Sequence, residues 1–236
     1  DYTWRDKPNR QYTPNYPDDL IAANIKRHQV FVATVGITWQ PGTKYVELPG
    51  RKINIGSRHP IFSLQYTQAF KNIFGSDERF NKWKLGITDD INFKLQGKFR
   101  YRLGIGGFID TGRNVQAPDY NHFNGNISTF ATEYLNSFQL LPIYQFSNIS
   151  KFYALAHIEH NFKGFLTNKI PGIKKLNLYL VAGANGFYIN SNKNYYEIFA
   201  GFDNIFKQVR IDFVQSYLNG KPWQSGFKIG FSRSGA

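Results

Sequence analysis

With 236 residues, the chain is long enough for one large domain or two small ones. It contains 22 Phe, 15 Tyr and 21 Gly but no Cys and no Met, which favours many β-strands over packed helices. No apolar run approaches the roughly 18 residues of a spanning helix, which argues against a helical membrane protein and leaves a soluble β protein or a membrane β-barrel. The formal net charge of +13 invites a nucleic-acid interpretation, but the basic residues are scattered, so contact with anionic lipid headgroups explains them at least as well.

The N-terminal residues 1–28 contain Pro8, Pro14 and Pro17 and are predicted to be irregular or peripheral. From residue 29 onward, apolar and polar residues alternate with period 2, as is typical of β-strands. The alternation predicts nine strands, at 29–39, 61–70, 81–94, 98–110, 152–162, 175–188, 195–203, 208–217 and 225–232.

The alternation gives each predicted strand one apolar face and one polar face. A soluble sandwich buries its apolar faces, whereas a membrane barrel turns them towards lipid. The strands are long, aromatic residues lie near several strand ends, and the polar faces carry charges, so the sequence favours the membrane barrel. In 98–110, the apolar face carries Phe99, Tyr101, Leu103 and Ile105, and the polar face carries Lys98, Arg100 and Arg102.

The connection at 111–151 is long, with a possible extended piece at 138–146. Nine is an odd number of strands, while bacterial single-chain barrels have an even number. Either 138–146 is a tenth strand, or the chain is the C-terminal part of a larger barrel. In both cases the barrel strands are expected to occupy 29–232, with the long loop at 111–151, and 233–236 is expected to be a tail.

Residues 138–188 (FQLLPIYQFSNIS…GANGFY), residues 195–220 and the GFKIGF at 226–231 resemble the C-terminal barrel of the bacterial surface antigen superfamily. This superfamily includes the outer-membrane protein assembly factors and the two-partner secretion transporters. The likeness is closest to an uncharacterised family in which the barrel follows a carboxypeptidase-regulatory-like domain. The resemblance implies an all-β fold, an antiparallel transmembrane barrel whose C-terminal strands this chain supplies, with about 16 strands in the whole barrel.

The resemblance also implies a location in the bacterial outer membrane and a non-enzymatic role. That role would be the insertion or translocation of outer-membrane and surface proteins, either directly or as an accessory subunit of such a machine. The expected partners are outer-membrane lipid, lipopolysaccharide and other outer-membrane or periplasmic subunits, with no nucleic acid and no cofactor. Two alternatives remain open: a passive or gated channel, and a lipid-modifying membrane enzyme, for which no Ser/His/acid cluster is evident.

In the superfamily, a long loop folds into the lumen, and the Arg of its Val-Arg-Gly-Phe or Val-Arg-Gly-Tyr motif contacts acidic residues on the next two strands. Residues 111–151 stand where this loop is expected, and Glu159 matches the first acidic position. The motif itself is missing, because the chain contains no Arg-Gly pair. The second strand offers Val181–Asn185 in place of an Asp.

The sequence His157-Ile158-Glu159-His160 resembles a metal motif at first sight. On a strand, residues i and i+2 share a face, so His157 and Glu159 are predicted to point to the lumen and His160 away from it. A zincin requires a helix with His at i and i+4, so no metal site is predicted.

No catalytic, cofactor-binding or metal-binding residue is predicted. A C-terminal strand that ends in an aromatic residue resembles the signal read by outer-membrane assembly machinery, which makes Phe231 a candidate assembly signal. The candidate polar residues of the lumen are Arg100, Arg102, His157, Glu159, Glu197, Arg210 and Asp212.

Overall fold

The computed structural model describes residues 2–7, 28–111 and 115–231. These residues form twelve strands and four short 3-10 turns. Among them, no helix has the length and hydrophobicity needed to cross a membrane. The strands are β1 Tyr2–Lys7, β2 His28–Trp39, β3 Lys44–Leu48, β4 Arg51–Gly56, β5 Ile61–Phe70, β6 Phe80–Asn92, β7 Lys98–Thr111, β8 Tyr153–Asn161, β9 Tyr179–Asn190, β10 Lys193–Ile205, β11 Val209–Leu218 and β12 Lys221–Phe231.

Ten of the strands form one antiparallel sheet in the order β1-β2-β5-β6-β7-β8-β9-β10-β11-β12. The strands β3 and β4 form a separate hairpin between β2 and β5. Neighbouring strands of the large sheet are therefore consecutive in sequence, except that this hairpin lies between β2 and β5. Such an up-and-down arrangement needs no crossover connection.

All nine predicted strands are present, and the all-β prediction is confirmed. The largest displacements are at the starts of β9, at 179 instead of 175, and β12, at 221 instead of 225. The hairpin β3–β4 was not predicted, although its turn at Pro49-Gly50 has the residues of a type II turn and Gly50 has the required positive φ of 83°.

Two expectations about the strand number need correction. Residues 2–7, within the part predicted to be irregular or peripheral, form the edge strand β1, which pairs with β2. Residues 8–27 and the tail at 233–236 lie outside the described residues. The segment 138–146 forms turns rather than a tenth strand, because the N–H groups of Gln139 and Leu140 bond to a side chain and Pro142 has no N–H to donate. The large sheet of the described residues thus has ten strands. Because ten is an even number, the predicted odd number of strands no longer argues for a larger barrel.

The two faces of the sheet have opposite character, as the alternation predicts. The face called here the apolar face is exposed, with Val35 at 66%, Ile37 at 60% and Phe227 at 66% of full exposure. A soluble sandwich has the reverse arrangement, with its apolar face buried. The other face, called here the polar face, buries His157, Glu159, Asn185, Glu197, Arg210, Asp212, Ser216 and Lys228.

The polar face is buried because residues 115–152, called here the inserted segment, lie against it. Phe123 stacks on Phe187 of β9 with ring centroids 4.2 Å apart, and Phe138 packs edge-on against Tyr195 of β10 at 5.4 Å. At the side of β6, Lys82 donates a hydrogen bond of 3.0 Å to the carbonyl of Asp119. The long connection between β7 and β8 therefore covers the sheet from β6 to the last strands.

The inserted segment also reaches the outer edge of β12. Ile229 accepts a hydrogen bond of 2.7 Å from the N–H of Ala131 and donates one of 3.0 Å to the carbonyl of Thr129. These two bonds make a parallel bridge between Phe130 and Ile229. Part of the backbone edge of β12 is thus occupied by the chain itself.

Gly183 of β9 provides a test of how tightly the polar face is packed. A Cβ atom at this position would lie 2.3 Å from the carbonyl oxygen of Ile158 and 2.4 Å from the ring of Phe199. We expect Gly183→Ala to lower the free energy of unfolding by about 1–3 kcal/mol, because neighbouring backbone must move. Urea unfolding followed by tryptophan fluorescence measures it. Gly36→Ala is the control, since its nearest atom is 3.8 Å away, and an equal loss in both variants would contradict the prediction.

Candidate functional site

The first centre of the polar face is the carboxylate of Glu159 on β8, whose side chain is 1% exposed. It accepts a hydrogen bond from Arg100, which stands directly opposite on β7. Its second oxygen accepts a bond of 2.6 Å from Nη1 of Arg210 on β11. A buried carboxylate needs partners of this kind because desolvation without them costs several kcal/mol.

The pair between Glu159 and Arg210 requires the sheet to curl around its polar face. The strands β8 and β11 are three places apart in the sheet, which is about 14 Å in a flat sheet with ordinary strand spacing. A contact of 2.6 Å across that separation is possible only if β8 and β11 turn towards each other. A second contact reaches across β9, where the side-chain amide of Asn161 on β8 donates a hydrogen bond of 3.2 Å to Asp203 on β10.

Arg210 connects this centre to the inserted segment. Its Nε donates a bond of 2.7 Å to Asp212, the next residue on the same face of β11. The hydroxyl of Tyr134 donates to the same carboxylate oxygen at 2.7 Å, and the guanidinium lies 4.2 Å from the Tyr134 ring centroid. Burial, reinforced by the negative charge of Asp212, raises the pKa of Tyr134. The phenol therefore remains a hydrogen-bond donor, and it fixes the inserted segment to β11.

The second centre is Glu197 on β10, which is fully buried. Its carboxylate accepts hydrogen bonds from the backbone N–H groups of Gln139 at 2.7 Å and Leu140 at 3.1 Å. Asn185, directly opposite on β9, donates at 2.8 Å, and the hydroxyl of Tyr195 donates at 2.7 Å. A carboxylate with four donors is held strongly, and two of these donors are backbone groups of the inserted segment.

The remaining sequence-predicted residues lie beside these two centres. Arg102 on β7 is paired with His157 on β8. His157 is buried on the polar face against the ring of Phe138, with centroids 5.0 Å apart. His160 points to the other face, where its ring lies 4.3 Å from that of Phe162. Residues 2–7, 28–111 and 115–231 contain no group of three or more His, Cys, Asp or Glu arranged to hold a metal ion.

Sequence reasoning found four of the residues that form the ion-pair network, namely Arg100, Glu159, Arg210 and Asp212. It also found Glu197 but did not find its partners. Tyr195 and Asn185 share the polar face by strict alternation, so the period-2 pattern could have identified them. Tyr134 lies in an aperiodic segment, where no sequence pattern marks it. Phe231 ends β12 and is 83% exposed.

Residues 1–202 match the C-terminal domain of a family of unknown function, DUF5686. The chain belongs to this family. No curated protein matches the sequence, and no solved structure does. The match to the DUF5686 domain covers the inserted segment and the strands as far as most of β10, so it includes Glu159 and Glu197 but not Arg210.

In this member of the DUF5686 family, the carboxylates of both centres accept hydrogen bonds from neighbouring strands and from the inserted segment. The two arginines and two carboxylates of the first centre balance each other in charge, and each carboxylate is already engaged by donors. The second centre uses a carboxylate to fix backbone N–H groups. Both centres thus join the strands to the inserted segment, the first through the hydroxyl of Tyr134 and the second through the backbone N–H groups of Gln139 and Leu140.

Replacing Arg210 tests this network. We expect Arg210→Met to lower the free energy of unfolding of the purified protein by about 3–5 kcal/mol, because the buried carboxylates of Glu159 and Asp212 lose their shared cation. Urea unfolding followed by tryptophan fluorescence measures the loss. The matched control is Arg79→Met. Arg79 pairs with Asp110 at 3.3 Å, and the two side chains are 67% and 48% exposed, respectively. The control should lose about 1 kcal/mol or less, and similar losses in both variants would show that Arg210 is not required.

Proposed function

We propose that this protein is a bacterial outer-membrane β-barrel protein that acts without bond chemistry in the insertion or translocation of outer-membrane or surface proteins. The observation that carries the proposal is the reversed sheet. Its apolar face is exposed, while its charged face is buried beneath the chain's own inserted segment. Water does not favour such an arrangement, whereas the lipid of a bilayer does.

The dimensions of the strands support a membrane environment. A tilted strand that crosses a bilayer needs about 9 to 11 residues. Each of the nine strands of the large sheet from β2 to β12 has between 9 and 14 residues. Their exposed face carries Ile37, Leu64, Leu103, Ile198 and Phe213, which are side chains suited to hydrocarbon.

The edge of β12 supports a role with other proteins. A strand edge offers unpaired N–H and C=O groups to which an incoming strand can add. At Ile229 these groups bond to Thr129 and Ala131 of the inserted segment. Two hydrogen bonds are few enough to exchange, so an incoming strand of a client protein would replace residues 129–131 at this edge. The resemblance to protein-inserting barrels points to the same kind of client.

The second candidate is a gated channel, favoured by the position of the inserted segment. That segment covers the polar face, which is the surface that would line an aqueous path. Release of the bonds at Glu197 and Asp212 would uncover charged side chains, as the opening of a channel requires. The partners on either interpretation are outer-membrane lipid and lipopolysaccharide, together with client or subunit proteins.

Single cysteines at two neighbouring positions test the membrane assignment. The chain has no cysteine, so Leu103→Cys and Arg102→Cys each give one site for a fluorescent label. Leu103 is 39% exposed on the apolar face, and Arg102 points to the polar face. In the protein reconstituted into vesicles, we expect a quencher carried on lipid chains to reach the label at 103 but not at 102. Equal quenching, or none at 103, would contradict a membrane-spanning sheet.

A disulfide at the edge of β12 tests the proposed role. The bridge between Phe130 and Ile229 places the two residues at strand spacing, within reach of a disulfide when both are changed to Cys. In cells whose only copy carries this pair, we expect lower levels of other outer-membrane proteins, restored by a reducing agent, because clients cannot displace the segment. Val46→Cys with Ile53→Cys, paired in the β3–β4 hairpin, is the control.

The outcomes of this experiment separate the two functions. Normal protein levels with a changed conductance in planar bilayers would favour the channel. Normal levels with unchanged conductance, from a pair shown to be cross-linked, would contradict both proposals.

A further inference from the structure

Three of the connections between strands lie at the same end of the sheet. They are residues 93–97 between β6 and β7, 162–178 between β8 and β9, and 204–208, which close β10 and lead into β11. Because neighbouring strands are antiparallel, every second connection along the chain returns to this end. These three segments are called here the basic end.

The three segments are joined to one another. Nε2 of His160, at the end of β8, lies 2.9 Å from the carbonyl oxygen of Gln96. Asn204 donates a hydrogen bond of 2.8 Å to the carbonyl of Asn177. Gly97 is packed so closely on β8 that a Cβ there would lie 2.0 Å from the carbonyl oxygen of Asn161. The basic end is therefore one surface and not three independent turns.

The charged side chains of these three segments are all basic. None of the three segments contains Asp or Glu. Two carboxylates on the strands beside these segments are engaged, since Asp203 is buried and bonded to Asn161, and Asp90 pairs with Lys98 at 2.9 Å. Six lysines are exposed on the basic end: Lys94, Lys163, Lys169, Lys174, Lys175 and Lys207.

Large apolar side chains stand exposed among these lysines. Phe206 is 92% exposed, Leu95 86%, Leu176 61% and Ile170 48%. Turns in water are ordinarily polar, so an apolar residue at each tip is unfavourable there. Lysine next to exposed leucine and phenylalanine is the composition of elements that lie at the boundary between headgroups and acyl chains.

We propose that the basic end binds a layer of anionic lipid headgroups, with its lysines on the phosphates and its apolar tips between the upper parts of the acyl chains. The proposal rests on the proposed membrane location and adds a lipid class and a surface to it. A bilayer leaflet supplies both negative charge and an apolar layer at one depth, which matches the alternation of lysine with Leu95, Leu176 and Phe206. An acidic protein would supply the charge without the apolar layer.

The test uses the full-length protein, labelled at Leu95→Cys and reconstituted into vesicles of phosphatidylcholine with or without phosphatidylglycerol. We expect quenching of the label by a quencher carried on lipid chains to rise about twofold or more when the anionic lipid is present. The rise should be lost when Lys94, Lys174, Lys175 and Lys207 are all changed to Gln. High salt should reduce it as well, because exposed charges are screened.

The chain provides a matched control for the loss of charge. Lys71, Lys151, Lys193 and Lys221 are exposed at the opposite end of the sheet, and changing all four to Gln removes the same charge. This variant should keep the response of the label at 95. An equal loss in both variants would show that net charge, and not the basic end, attracts the lipid, and would overturn the proposal.

The label at Leu103→Cys distinguishes failure of this proposal from failure of the membrane assignment. If 103 is quenched while 95 is quenched equally with and without phosphatidylglycerol, the sheet is in the membrane and the lipid proposal is wrong. If 95 remains unquenched in both lipids, the basic end faces water or a protein, which also overturns the proposal. If 103 is not quenched, the membrane assignment itself fails.

Discussion

The structure depends on the need of buried carboxylates for partners. Glu159 is almost completely removed from solvent, and its two oxygens are satisfied by arginines from β7 and β11. Those strands lie on opposite sides of β8, one and three places away. Both pairs can form together only when the sheet curls around its polar face, so the ion pairs and the curvature require each other. The apolar side chains are then left on the outside.

The inserted segment covers the polar face of the curled sheet and supplies further partners to its buried carboxylates. Aromatic packing of Phe123 and Phe138 supplies apolar contact, while Glu197 and Asp212 fix backbone and side-chain donors of the segment. Without the segment, Glu197 would lose the N–H groups of Gln139 and Leu140, and Asp212 would lose the hydroxyl of Tyr134. The sheet and its longest connection therefore act as one unit, and the part of the segment at residues 129–131 extends this unit to the edge of β12.

A sheet with this organisation offers three distinct surfaces to its surroundings. The apolar face suits hydrocarbon, the edge of β12 suits another strand, and the basic end combines lysine with exposed leucine and phenylalanine. These surfaces differ in what they can bind. The apolar face suits apolar groups, the edge of β12 suits backbone hydrogen-bonding groups, and the basic end suits negative charges next to an apolar layer. The proposed function and the lipid inference together use all three surfaces.

The sequence alone determined the strands and the side of the sheet on which each residue lies. Period 2 is a local property of extended backbone, so Leu103 and Arg102 could be assigned to opposite faces before any fold was known. It placed Arg100, Glu159, Arg210 and Asp212 on one face but could not show that they touch, since β8 and β11 are distant in sequence and meet only through curvature. Tyr134 and the backbone of Gln139 belong to an aperiodic segment, and β1 is too short for a period to be recognised. Only the tertiary structure decided which face is buried and which segment covers it. The alternation is the same in a sandwich, which buries its apolar face, and in this sheet, which buries its polar face.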